Sequence, residues 1–572
     1  MLSKTRGKKD KLFFLVFLLS SSITAQDLSH VKDQKPLVFH GSIGASARFY
    51  STNETIPSQP PFAWSIYGNF TPTVYNFSFP FSFVITQFNN SYTSPFTQFG
   101  ISPSYKWIKL DLGYRNITFS PLTFDGQSFL GAGIELTPKK FHFAAFYGRL
   151  NRKINEDTTS GRYAQPQFSR IGYGVKIGIG NAANFFDFIW FHAKDDSSSV
   201  VVINKQNYQP QENTVLGTSF KLTMSKKISW SADLAISGLT QDISLPVGNP
   251  DTANSTLEKI MGKLVTYNSS TVANYAGQTS ISLQLKEYNT TLSYRRVEPD
   301  FKSLGTPYML NDVALINWIN NFYLLNGKLN INTSLSDQHN NLNNNLTSEM
   351  NTLVSTGGVN VLFSQHFILN FNYTAYHLQQ KDGTTILTDS TRLNQMINQF
   401  SITPVYTLSK DSLMHSISVS VNLMTLQDKN PATSPFSNSN NISISLNYNL
   451  GFLTKALNFS FSGIHNEYKQ SSNSYSSNGI NLGCSKQMLK EKELSLQGTI
   501  GYLFNKSSYG NVQNNLTFSA NAGYHKKHHS FNAYANYIYT PYNPIVTIIN
   551  KQVPSAVATK NLAGGISYTY SF

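Results

Sequence analysis

Apolar residues recur at every second position through most of this chain. Ile442, Ile444, Leu446, Tyr448 and Leu450 alternate with Ser443, Ser445, Asn447 and Asn449; Ile417, Val419, Val421 and Leu423 alternate with Ser416, Ser418, Ser420 and Asn422. Successive side chains of an extended backbone point to opposite faces, so each stretch predicts a strand with one apolar and one polar side. Residues 457–461, 367–375, 329–335 and 531–537 read the same way, and helical spacing appears nowhere at comparable strength.

The connections are of two kinds that alternate along the chain. Twelve tight turns are expected, near Ser78, Trp107, Pro138, Asn181, Lys226, Glu287, Gly327, Gln365, Lys410, Thr454, Lys490 and Lys526. Between them lie longer polar stretches at 51–61, 89–98, 151–168, 194–212, 240–273, 299–310, 379–392, 428–440 and 541–558. Short connections at one end and long ones at the other describe an up-and-down antiparallel sheet. Twelve hairpins plus a lone first strand (37–50) and a lone last one (561–572) predict about 26 strands, within an even range of 22–26. Between Asn69 and Phe129 the pattern is weakest, because Pro72, Pro80, Pro95, Pro103 and Pro121 interrupt it.

Composition then chooses among all-β solutions. Only 13% of residues are charged, about half the roughly 25% of soluble globular domains. With 40 Phe and 31 Tyr, most of the chain has too much to bury to be disordered. A single cysteine, Cys484, excludes an internal disulfide framework. Some 26 strands left open in water would carry unpaired edges, whereas closure satisfies every backbone group, the condition for crossing hydrocarbon. The polar parity, mostly Ser, Asn, Thr and Gln, suits a wet interior. The expectation is an all-β chain: one large transmembrane antiparallel up-and-down β-barrel with short periplasmic turns and long extracellular loops.

The amino terminus fits export. A basic stretch, MLSKTRGKKDK, precedes the apolar block at 12–19, and SSSITA ends at Ala25. About eight apolar residues are too few to span a bilayer, so residues 1–25 read as a cleavable signal peptide, 26–36 as a short periplasmic lead and 37–572 as the barrel. The formal charge of +15 falls to 40 basic against 29 acidic residues without that signal.

The chain closes with NLAGGISYTYSF, placing Ile566, Tyr568, Tyr570 and Phe572 on one face. This ending resembles Gram-negative outer-membrane β-barrel proteins, whose last strand finishes in an aromatic residue, usually Phe. The resemblance implies an outer-membrane location, contact with membrane lipid, pairing of the last strand with the first, and reading of Tyr568, Tyr570 and Phe572 by the barrel-assembly machinery. It reaches no narrower family. Energised receptors carry an N-terminal plug domain for which 26–36 leaves no room, and the lipopolysaccharide translocon carries paired cysteines and a periplasmic domain absent here.

A circular 26-strand barrel is roughly 50 Å across, too wide for side chains to fill. An open hole of that size would abolish the permeability barrier, so infolded loops or a lumen-plugging partner are expected. By length, 240–273 and 151–168 are the leading internal candidates. Arg149, Arg152, Arg162 and Arg170 flank the second, either as an anion-favouring constriction or as a solvated loop base. Arg295 and Arg296 face opposite sides, so at most one is lumenal. Lysines mark the turns: Lys106, Lys109, Lys139, Lys140, Lys226, Lys227, Lys410, Lys455, Lys490, Lys492, Lys526 and Lys527. They would either meet anionic headgroups or simply keep exposed turns soluble.

No phosphate loop, zinc-type helix or serine elbow appears. His525, His528 and His529 occupy a basic turn, and His192, His377 and His465 lie on strands with polar neighbours; the reading is a non-enzyme without cofactor, metal or nucleic-acid partner. Two functions remain open: a channel or transporter for polar solutes, or a structural or secretion-associated scaffold holding a periplasmic or lumenal protein partner.

Overall fold

The computed structural model describes residues 37–572 apart from 55–56, 76, 88–97, 157–165, 201–207, 391, 472, 490, 509, 512–513 and 542–557. The expected signal peptide and lead therefore lie outside the described residues, as does Arg162. Among the described residues the chain is a single antiparallel sheet closed into a 26-strand barrel. Three further strand segments, Phe77–Ser78, Ser104–Tyr105 and Gly510–Asn511, are two-residue extensions beside turns and loops. The first strand, Val38–Thr52, pairs on one side with Phe62–Val74 and on the other with the last, Thr559–Ser571. The closing register runs from Ser42 opposite Ser571 to Thr52 opposite Asn561, and the Phe572 N–H donates to the Gly41 carbonyl at 2.9 Å.

All twelve expected turns separate strands at one end of the cylinder. At the other end the nine expected long connections are joined by four more, at 116–128, 340–347, 471–472 and 508–514. The first of these lies in the proline-broken stretch, where the alternation is weakest.

Register carries the two faces around the barrel. Phe186, Phe188, Leu234, Ile281, Leu292, Ile316, Leu446 and Ile566 all share the outward parity and are exposed. In water such an apolar belt would be untenable, but in hydrocarbon it is the favoured exterior of a closed barrel. The opposite parity carries Ser443, Ser445, Asn447 and Asn449, facing inward. At the seam Tyr568, Tyr570 and Phe572 lie on the outer face. Tyr568 packs on Phe531 at 4.6 Å, and Phe572 contacts Tyr570 at 5.3 Å and Phe39 at 6.2 Å.

The long connection 240–273 does not enter the mouth. It lays its helix, Thr256–Met261, against the outer side of the wall at the loop end, where buried Met261 sits over Gly238. Gly238 pairs with Thr214 on the outward parity, so length alone was a poor guide to which loop fills the lumen. Of the second nominated loop, the described residues pair through Ile154 and Gln167.

Candidate functional site: a partly filled lumen

Two loops at 116–128 and 298–312 fold into the lumen from the loop end. The first makes a tight turn around Pro121: Phe124 N–H donates to Ser120 O at 3.2 Å, and Phe119 N–H to Phe124 O at 2.9 Å. The second joins it in parallel, with Phe124 opposite Gly305 and Asp125 N–H donating to Gly305 O at 3.0 Å. The Ser303 hydroxyl donates to the Thr123 carbonyl. Ile117, Phe119, Leu122, Phe124, Phe301 and Leu304 are thereby buried against Phe129, Phe146, Ile189, Phe191 and Val215 of the inner wall. Phe124 stacks on Phe146 at 4.3 Å and lies 5.3 Å from Phe191.

The wall is shaped to receive this body. A Cβ at Gly174 would lie 2.6 Å from the Phe119 ring and one at Gly217 2.5 Å from the Thr123 methyl, so both positions are hydrogen-only seats. Asn213, with no exposed surface, binds the plug to the wall. Its amide donates to Ser237 Oγ, Gly238 O and Lys302 O at 2.8, 3.0 and 3.1 Å, while its oxygen accepts from Leu304 N–H at 3.0 Å. Burying each large apolar side chain is worth about 1.5–3 kcal/mol. Six of them make this a held plug rather than a swinging lid.

Polar groups lie above and below the apolar layer. At the rim Arg170 makes a two-pronged pair with Asp195 at 2.7 and 2.9 Å. Lys302 reaches Gln211 at 3.3 Å, and burial, together with the nearby Arg170 charge, holds its ammonium below the usual lysine range against the opposing pull of Asp195. Toward the turns, one inward row runs His142, Asp187, Ser219, Asp233, Gln278 and Arg295. His142 lies 3.3 Å from Asp187, the Ser219 hydroxyl donates to Asp233, and Gln278 donates to Asp233 at 2.9 Å. Lys176 reaches up to Thr118 O at 3.3 Å, fastening the plug from below.

The arginines singled out in the sequence separate. Arg170 is lumenal, whereas Arg149 is on the outward parity and donates to the Tyr114 hydroxyl at 3.4 Å. Arg152 sits at the loop base. Arg295 faces inward, and Arg296 faces outward to pair with Glu298 at 2.5 Å. Neither plug loop was foreseen as a plug; the missed signal was the large apolar residues set in both connections, Ile117, Phe119, Leu122 and Phe124 around Pro121 and Phe301 and Leu304 in the second.

Across the remaining half of the circumference the wall is bare and neutral. In the thirteen strands from Val313–Leu324 to Thr559–Ser571, the inward parity among the described residues holds no lysine or arginine. Asn330, Asn332, Ser334, Asn372, Ser401, Ser445, Asn481, Thr499 and Asn521 represent it. Its carboxylates, Asp382 and Asp428, stand at the loop-end rim.

One histidine arrangement invites a catalytic reading and fails it on access. His192 Nδ1 lies 2.8 Å from Thr214 Oγ1, and Nε2 lies 3.6 Å from Glu212. Thr214 has no exposed surface, and its hydroxyl donates to Leu264 O at 2.9 Å. Glu212 accepts from Thr266 N–H and Lys194 at 3.0 Å each, so the group anchors the outer loop.

No protein-family model and no curated protein sequence matches the chain. Among solved structures it is similar to OpdQ of Pseudomonas aeruginosa, with 12% identity over 68% of this chain and 98% of that one and a TM-score of 0.33. OccAB2 of Acinetobacter baumannii gives 10% identity, 68% and 96% coverage and a TM-score of 0.30. The translocation pore of the P pilus usher PapC gives 8%, 94% and 100%, and 0.36. At such scores the likeness carries no inference, and the assignment rests on this chain's own geometry. A closed 26-strand cylinder with an apolar exterior and a polar interior is an outer-membrane β-barrel.

Proposed function

We propose that this protein is a channel through which polar solutes cross the outer membrane along the neutral half of the lumen, the two-loop plug narrowing the other half. The observation that carries this reading is the wall from Val313 to Ser571: half a cylinder whose inward parity is mostly amides and hydroxyls, with apolar residues such as Ile319, Ile368 and Ile464 scattered among them and, among the described residues, no core packed on it. Amide and hydroxyl groups both donate and accept, so they can exchange hydrogen bonds with a passing solute at little net cost. A scaffold that held a lumenal protein would need an apolar or charged anchoring face there. Planar-bilayer recording of the purified protein tests the proposal: steady openings are expected. Persistent closure with a co-purifying protein would overturn it in favour of the scaffold reading.

Export and assembly complete the proposal. Cleavage after Ala25 gives a mature chain beginning at Gln26, checked by N-terminal sequencing, and the Tyr568, Tyr570 and Phe572 face is what the barrel-assembly machinery reads.

A further inference from the structure

The two ends of the cylinder differ in charge. At the loop end acids and bases are interspersed and pair: Arg170 with Asp195, Lys194 with Glu212, Lys263 with Asp251, Arg296 with Glu298, Lys381 with Glu349, Arg392 with Asp382 and Lys469 with Glu467. At the turn end lysines dominate. Lys106, Lys139, Lys140, Lys226, Lys227, Lys286, Lys328, Lys410, Lys455, Lys492, Lys526 and Lys527 lie in or beside nine of the twelve turns, all the way round the barrel. Among the described residues, Lys526 is the one member of this ring in an ion pair, with Glu493 at 3.7 Å. Lys109, grouped with them in the sequence, instead faces the lumen and pairs with Glu135 at 2.7 Å.

Turn geometry gives no reason for lysine at several of these positions. Lys106, Lys139, Lys492 and Lys527 have φ of 51°, 55°, 57° and 51°. This is left-handed backbone, which glycine or asparagine adopts with less strain than lysine. Keeping four lysines there implies that the ammonium matters more than the turn.

The level of the ring is set by aromatics on the outer face at the same end of the barrel, beside lysine-bearing turns and their neighbours. Phe77 stacks on Tyr105 at 4.0 Å, with Lys106 Nζ 5.2 Å from the Tyr105 ring. The pairs Phe70–Phe81, Phe220–Trp230, Tyr288–Phe322, Phe363–Phe367 and Phe452–Phe459 continue the band. Aromatic girdles sit at headgroup depth, so the lysines project into the headgroup layer itself.

We infer that the turn-end lysine collar is a binding surface for anionic phospholipid headgroups, which it gathers around the barrel. This rests on the membrane-spanning fold and not on the channel reading. A ring distributed over the whole circumference matches a lipid annulus, whereas an acidic protein partner would be met by a patch on one side. Each lysine is a flexible point charge, suited to a diffusing phosphate.

The test uses the full-length barrel purified in detergent and offered an equimolar mixture of phosphatidylglycerol and phosphatidylcholine, with retained lipid counted by native mass spectrometry. Several-fold enrichment of phosphatidylglycerol is expected. The quadruple variant Lys106→Asn, Lys139→Asn, Lys492→Asn, Lys527→Asn relieves the turn strain, so it should hold or gain thermal stability while losing much of the enrichment. The matching Lys→Arg set should keep it. Equal retention of the two lipids by the native protein, or undiminished enrichment in the asparagine variant, would overturn the inference. Binding of polyglutamate without lipid enrichment would assign the collar to an acidic protein instead. If the quadruple variant does not fold, Lys140→Gln with Lys226→Gln and Lys227→Gln, outside left-handed backbone, reads the same quantity.

Discussion

Two arcs of one cylinder, built by the same alternation, end with opposite interiors. From Ile108 to Val297 the inward parity offers Gly174, Gly217, Ala235 and Ala276 as seats and Phe146, Ile189, Phe191 and Val215 as partners, and two loops fill the space over them. From Val313 onward the inward parity is mainly amide and hydroxyl with scattered apolar residues, and among the described residues no hydrophobic side chain beyond Ala314 is buried. The strand code fixes which side chains face inward. The volume and polarity of those side chains then decide whether a loop can settle there or water must.

The largest test of that difference is a pair of truncations. Phe124→Ala removes a fully buried ring from the plug and should cost about 3–5 kcal/mol of its packing; larger, noisier bilayer conductance and protease cleavage within 116–128 are the expected readouts. Ile464→Ala, inward on the bare half and 36% exposed, should change neither. Equal behaviour would mean that the plug is not packed as described. Next comes the lipid boundary: Leu446→Arg should cost about 2–4 kcal/mol near the midplane, while its neighbour Asn447→Arg costs little, compared by denaturant titration of the reconstituted barrel. Matching losses would undo the face assignment.

Asn213→Leu probes the hydrogen bonds that hold plug to wall. Stranding the Leu304 N–H in a buried site, while the Lys302 carbonyl keeps only the Ser237 hydroxyl, should cost about 1–3 kcal/mol, seen as faster hydrogen exchange confined to 298–312. The smallest effect is at the rim. Arg170→Gln removes a like charge beside Lys302 and leaves Asp195 unpaired, so the Lys302 pKa should rise toward the usual lysine value. Its amine should then label more slowly at mildly alkaline pH in a mass-spectrometric footprint; unchanged labelling would separate Lys302 from that pair.

The strand plan was legible because period two is a local property. Each turn announced itself by a break in alternation, and Ser443 or Ile444 needs no distant partner to declare its face. The plug was not legible, since alternation at Ile117 and Phe119 looks the same whether the apolar side meets lipid or another loop. Only the register, which brings Phe124 beside Gly305 from far along the chain, separates the two. Loop length misled for the same reason: 240–273 is long, yet its Met261 finds a seat at Gly238 on the outer side. Arg149 and Arg170 seemed to share one site from sequence, but the register sets Arg149 opposite Ile171, the chain neighbour of Arg170, so alternation sends the two arginines to different faces.

Because the first strand is paired from Ser42 to Thr52 with residues Asn561 to Ser571 of the last, the beginning and end of the cylinder are neighbours on the same rim. A short peptide could join them and fresh ends be opened at 340–347, giving a circularly permuted chain with every ladder intact. Such a molecule would retain its architecture but finish in a strand without Tyr568, Tyr570 and Phe572, so its fate in a cell would distinguish the capacity to form the cylinder from the permission to be inserted.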